Sequence, residues 1–187
     1  MEIRALSNSA LADTVGYAWT RLLRWRIVAL WLLLVAALLT SRPDLSATQW
    51  VAGLGFLMMA VMLLRLWDDL ADLQHDRAKH PERLLVRSTH LSVFRAVVWT
   101  GLPLIALLLL PDLQRLATYS VLLAALAWLY RRPQKIPLTR RAREYLVLAK
   151  YPVLVILAGA GPSVRTALVG LLLYALLAAY EWQDATA

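Results

Sequence analysis

Asp68, Asp69, Asp72 and Asp76 stand in the stretch Arg65-Leu66-Trp67-Asp68-Asp69-Leu70-Ala71-Asp72-Leu73-Gln74-His75-Asp76, so four of the twelve acidic residues fall within nine positions. At about 100° per residue in a helix, and with Asp68 at zero, Asp72 falls at about 40°, Asp76 at about 80° and Asp69 at about 100°. All four carboxylates therefore share one helix face. Arg65 and Lys79 share it too, whereas Leu66, Trp67, Leu70 and Leu73 point elsewhere. Like charges three and four residues apart repel, so the stripe calls for a cation. Hard oxygen ligands in this number suit Mg²⁺, which binds through a few carboxylates plus substrate phosphates. The four acids are candidate metal ligands. The plainer alternative is a solvated segment whose acids balance nearby Arg and Lys.

The elements that must position this face are apolar. The chain is 187 residues long and 60% hydrophobic, with a mean hydropathy of +0.59, too apolar for an ordinary soluble domain. The expected fold is all-α, a polytopic membrane helical bundle forming one domain over residues 1–187. Several runs approach the roughly 20 apolar residues that cross a bilayer. Six spans are predicted: Arg26–Thr40, Ala47–Leu66, Val93–Leu110, Leu113–Tyr130, Tyr145–Ala160 and Val164–Tyr180. The first is short and is expected to borrow from Arg21–Trp25. Trp25, Trp50, Tyr130, Tyr145, Tyr180 and Trp182 lie near span ends, as in interfacial belts. Residues 1–20 are expected to form an interfacial helix, through Leu6, Ala10, Leu11, Val15 and Tyr17, or a flexible tail. Residues 27–40 also look like the apolar core of a signal peptide, but the charged approach and five further spans favour an uncleaved first helix.

Charge sets the orientation. The N-terminal segment and the loops 67–92 and 131–144, with their flanks, hold 17 of the 20 Lys and Arg. Only Arg42, Arg115 and Arg165 fall on the other side. The positive-inside rule then places both termini, both loops and the acidic face in the cytoplasm of an inner or plasma membrane protein. The net charge of +8 belongs to these loops, and no nucleic-acid motif accompanies it. The chain has no cysteine, so disulfides, thiolate catalysis and Cys-ligated metal sites are excluded.

Asp68-Asp69-Leu70-Ala71-Asp72-Leu73-Gln74-His75-Asp76 resembles the first aspartate-rich motif, N/D-D-x-x-D-x-x-x-D, of the UbiA superfamily of intramembrane prenyltransferases. His80-Pro81-Glu82-Arg83 is similar to the basic stretch that follows it in bacterial members. The resemblance implies an enzyme, a Mg²⁺-dependent prenyltransferase moving an isoprenyl group from a prenyl diphosphate to an aromatic or lipid acceptor. It implies Asp68, Asp69, Asp72 and Asp76 as metal and diphosphate ligands, with Arg65, Lys79 and Arg83 as diphosphate partners. Lys135, in Tyr130-Arg131-Arg132-Pro133-Gln134-Lys135, and Lys150, one turn into the fifth span, are further diphosphate candidates. Positive-inside charge and snorkelling are their plainer readings. His75 reads as polar packing, and His80 and His90 as loop residues.

Members of that superfamily have nine spans and a second aspartate-rich motif after the sixth. Here Glu181 and Asp184 repeat the spacing of Asp69 and Asp72, so they are candidate metal ligands of that second motif. The alternative for both is a hydrated tail. The chain is expected to be a UbiA-like protein shorter than usual: a fragment, a split gene product or a shortened homologue, catalytically poor alone and active in a homo-oligomer or with a C-terminal partner. A degenerate, non-catalytic membrane subunit or prenyl-lipid-binding protein is the alternative. The D-G-x-x-A-R signature of CDP-alcohol phosphotransferases is absent.

Overall fold

A computed structural model describes residues 9–22, 24–131, 140–159 and 163–184. Every regular element among them is helical. In order they are α1 (Ala10–Tyr17), a π-helical turn (Ala18–Leu22), α2 (Trp25–Ser41), α3 (Ala47–Ala71), α4 (Leu73–Lys79), α5 (Leu84–Arg87), α6 (Leu91–Leu109), α7 (Leu113–Arg131), α8 (Arg140–Leu148), α9 (Lys150–Ala158) and α10 (Val164–Asp184).

Helix starts follow local chemistry. Ser9 accepts from the Ala12 amide at 3.1 Å and caps α1. Ser46 and Gln49 exchange bonds as a capping box ahead of α3. Asp112 caps α7 through the Arg115 amide, and Ser163 caps α10 through the Thr166 amide.

Three helices are long and apolar enough to cross a membrane: Ala47–Ala71, Leu91–Leu109 and Val164–Gln183. A fourth is obtained if Ala10–Arg21 and Trp25–Ser41, bent by 69°, make one broken span. On α10, Leu168, Leu171, Leu172 and Leu176 are all more than half exposed, an apolar face suited to lipid rather than water. The chain is thus an all-helical protein with the marks of an integral membrane protein. Three predicted spans depart from expectation. The helix of the first does not draw on Arg21–Trp25 beyond Trp25, because Arg21 belongs to the π-helical turn. The fourth, α7, has 19 residues, but Gln114, Arg115, Thr118 and Ser120 dilute its apolar content. The fifth is broken at Ala149 into two helices of nine residues each. Pro152 explains the break, since it has no amide for the Leu148 carbonyl and its ring crowds that group.

Two compact units are present: residues 1–32 with 58–105, and residues 33–57 with 106–187. In the first, Tyr17 packs edge-on against Phe94 with ring centroids 5.5 Å apart, and Trp67 meets Trp99 at 6.0 Å. Gly101 of α6 faces Leu63 of α3 so closely that a Cβ there would lie 2.7 Å from both Leu63 methyls. In the second, Gly53 lets α3 approach α9: a Cβ would sit 3.2 Å from the Ala158 carbonyl oxygen. Arg42 donates to the Gly159 carbonyl and, at 2.9 Å, to Asp44, tying the α2–α3 turn to the end of α9.

Overpacking at the α3–α6 contact is expected to destabilise. Gly101→Val should cost about 1–3 kcal/mol, because the buried Leu63 must leave its rotamer. Gly55→Ala, with nothing within 4 Å of the added methyl, should instead gain about 0.5–1 kcal/mol. Unfolding midpoints of the two variants in one detergent check this opposite pair.

Candidate functional site

The acidic stripe lies where α3 passes into α4. Asp72 interrupts the helix with φ −89° and ψ 4°, yet the register carries through. The Asp72 amide donates to the Asp68 carbonyl at 3.0 Å and the Asp76 amide to the Asp72 carbonyl at 2.9 Å. The four acids therefore keep the angular order expected of one helix. They do not share one environment. Asp69 and Asp76 are each 6% exposed, Asp68 is half-buried and Asp72 is exposed. The stripe straddles the edge of the buried face, with Leu66 and Leu73 on its inner side.

Like-charge repulsion along the stripe is met by arginines. Arg21 grips Asp69 with two bonds, Nε to Oδ2 at 3.1 Å and Nη2 to Oδ1 at 2.9 Å. The Tyr17 hydroxyl donates to Oδ2 at 2.9 Å. Arg65, one turn back on α3, adds a third group at 3.6 Å from Oδ1. Asp76 is paired with Arg83, which lies beyond the α4 terminus at the start of α5. A buried carboxylate needs this degree of compensation, because desolvation without partners would cost several kcal/mol. Among the diphosphate candidates, Arg65 and Arg83 thus sit on the acidic segment, and Lys79 is exposed in the last turn of α4.

The remaining candidates belong to the second unit or lie outside the described residues. Lys150 belongs to the second unit and is 1% exposed, its ammonium 5.2 Å from the Tyr151 ring centre. It does not snorkel to solvent. Glu181 is half-buried near the end of α10, also in the second unit, and Asp184 is the last helical residue. Lys135 lies outside the described residues.

Tyr17 and Arg21, expected in an apolar stripe and at the start of the first span, instead hold Asp69. His90 lies in the loop between α5 and α6, as expected. In the structure Asp13 of α1 accepts from the Ser88 hydroxyl at 2.5 Å and meets His90 Nδ1 at 3.1 Å. The available signal was the spacing of Asp13, Tyr17 and Arg21, four residues apart, which aligns three polar groups along one helix face. These bonds hold α1 against residues 88–90, which lie in none of the three candidate spans. The Ser88 hydrogen bond, helped by His90 and opposed by burial, holds the Asp13 carboxyl below its usual value of 3.8.

Among the described residues, no group of three or more His, Cys, Asp or Glu side chains is disposed to hold a metal. The physical reason is that Asp69 and Asp76 direct their charge to guanidinium partners. The arrangement thus gathers arginines that are already paired with carboxylates. Comparison of the chain with known protein families, with curated proteins and with solved structures finds no match.

Tyr17 and Asp69 are expected to be energetically coupled. Tyr17→Phe removes a bond to a charged group and should cost about 1.5–3 kcal/mol. Asp69→Asn leaves Arg21, 18% exposed at its side chain, with a much weaker partner and should cost about 3 kcal/mol. A double-mutant cycle should return about 1–3 kcal/mol of coupling, and a value near zero would show that the two act independently.

The Asp13 attachment should respond to acid in one direction. A carboxyl whose folded value is depressed contributes stability that is present above its unfolded value, about 3.9, and lost as pH falls through the folded value. Amide-exchange protection of α1 should therefore hold from neutral pH to about 4 and fall below that. Ser88→Ala should shrink the acid-sensitive part of that protection, because it raises the folded value toward the unfolded one.

Proposed function

We propose that this chain is a UbiA-like membrane prenyltransferase whose Asp68–Asp76 segment receives the diphosphate of an isoprenyl donor. The observation that supports this reading is the nine-residue acidic string at the end of α3, a helix long and apolar enough to cross a bilayer, with Arg65 and Arg83 beside it. In the reaction, the bond between the allylic carbon and the diphosphate oxygen breaks and diphosphate leaves with the electron pair. A carbon of the acceptor then bonds to the allylic carbon and gives up its proton. Arg65 and Arg83 bind the departing diphosphate in exchange for their carboxylates, and the apolar helices keep water from the cation. Mg²⁺ comes from the resemblance alone, since the acids as placed do not gather round an ion. Six spans, with the termini, the acidic segment and the basic loops on the cytoplasmic side, belong to the same proposal.

A second reading is a non-catalytic subunit that binds prenyl diphosphate lipids. The engagement of both Asp69 oxygens by Arg21 and Tyr17 favours it, because a carboxylate so committed serves structure first.

Calorimetric titration of the full chain in nanodiscs with farnesyl diphosphate, with and without Mg²⁺, tests the site. Asp72→Ala, an exposed change, should weaken Mg²⁺-dependent binding at least about tenfold, or 1.4 kcal/mol. Arg83→Gln should weaken binding whether or not Mg²⁺ is present. Unchanged affinity in both variants would rule out the assignment. Tight binding with no transfer of a labelled prenyl group to any of a panel of aromatic acceptors would select the subunit reading.

A further inference from the structure

The N-terminal helix has two faces of opposite chemistry. Asp13, Tyr17 and Arg21 form the inner one, bonded to Ser88, His90 and Asp69. Leu11, Val15 and Trp19, also four apart, form the outer one and are 59–74% exposed. In an α-helix, residues four apart drift by about 40° per step. The more widely wound π-helical turn at Ala18–Leu22 carries the last member of each stripe, Trp19 and Arg21. With its polar groups satisfied inward, the helix is left with a linear apolar edge that no described part of the chain covers.

We infer that α1 and the π-helical turn form an in-plane membrane anchor, with Leu11, Val15 and Trp19 seated among the acyl chains of an anionic leaflet. Three observations select lipid as the occupant. The segment meets α2 at a bend of 69°, so where α2 runs across the bilayer the segment runs nearer the membrane plane. The junction carries exposed Arg24 and Arg26, whose charge complements anionic headgroups. Trp25, 69% exposed beneath the Arg26 guanidinium at 5.8 Å, has the amphipathic character of an interfacial residue. The stripe is narrow and apolar with basic flanks, the pattern of a helix lying in the headgroup boundary. Because the opposite stripe grips Asp69, α1 is a strap between lipid and the acidic segment. This inference stands whether or not the segment handles prenyl diphosphates.

The chain has no cysteine, so spin labels can be placed one at a time on the full-length protein. Leu11→Cys, Val15→Cys and Trp19→Cys are labelled and reconstituted into phosphatidylcholine vesicles with and without phosphatidylglycerol, with Glu82→Cys as the exposed loop reference. The three stripe positions should collide readily with oxygen and poorly with a water-soluble nickel chelate, severalfold less than position 82. Phosphatidylglycerol should deepen all three, and Arg24→Gln with Arg26→Gln should remove that dependence. Nickel accessibility equal to that of position 82 would overturn the inference. Dipolar broadening at position 15 that disappears on dilution with unlabelled chain would also overturn it, by identifying a second copy as the occupant.

Discussion

The first unit is organised around the charge of Asp69. This carboxylate is buried at the end of an apolar helix, where an unpaired ion is untenable. Its partners come from two places: Arg65 lies one turn back on α3, whereas Tyr17 and Arg21 come from the N-terminal segment. Satisfying Asp69 therefore folds α1 over the α3 terminus. That placement brings the Tyr17 ring against Phe94 and sets Asp13 beside Ser88 and His90. A polar requirement at one position thus organises apolar packing around it, as buried ionic groups do when every member of the network is satisfied.

The same interaction divides the acidic stripe. Asp69 and Asp76 are drawn inward and paired, while Asp72 stays at the surface. In this arrangement Asp69 and Asp76 are each neutralised by a guanidinium group. In the proposed function an incoming dianion competes with these carboxylates for the same guanidinium groups, which can bind either anion. The proposed diphosphate site rests on that property. Arginine suits it because each guanidinium stays charged and can turn its planar fork from one anion to another.

In the second unit, backbone proximity replaces charge as the organising constraint. Gly53 allows α3 to approach the carbonyl of Ala158, and Arg42 reaches the Gly159 carbonyl at the end of the same helix. Small residues at such contacts let helices close where lipid offers no hydrophobic drive between them. Pro152 breaks the run between α8 and α9 at Ala149, and Lys150, the first residue of α9, is buried there.

Composition and periodicity by themselves determined that this chain is helical and apolar, where α3, α6 and α10 run, and that four carboxylates occupy one side of the α3–α4 junction. These properties depend on neighbours within about a turn along the chain, which a sequence displays directly. Tertiary structure alone decided which carboxylates are buried and what neutralises them. Arg21 and Tyr17 stand 48 and 52 positions from Asp69, and Asp13 stands 77 from His90. Periodicity gives the direction of a side chain around its own helix, but not which other helix lies in that direction. For that reason Tyr17 was legible as one residue of a helical stripe and not as an anchor. Lys150 was legible as a cation near a span end, but its burial is a property of the assembled second unit.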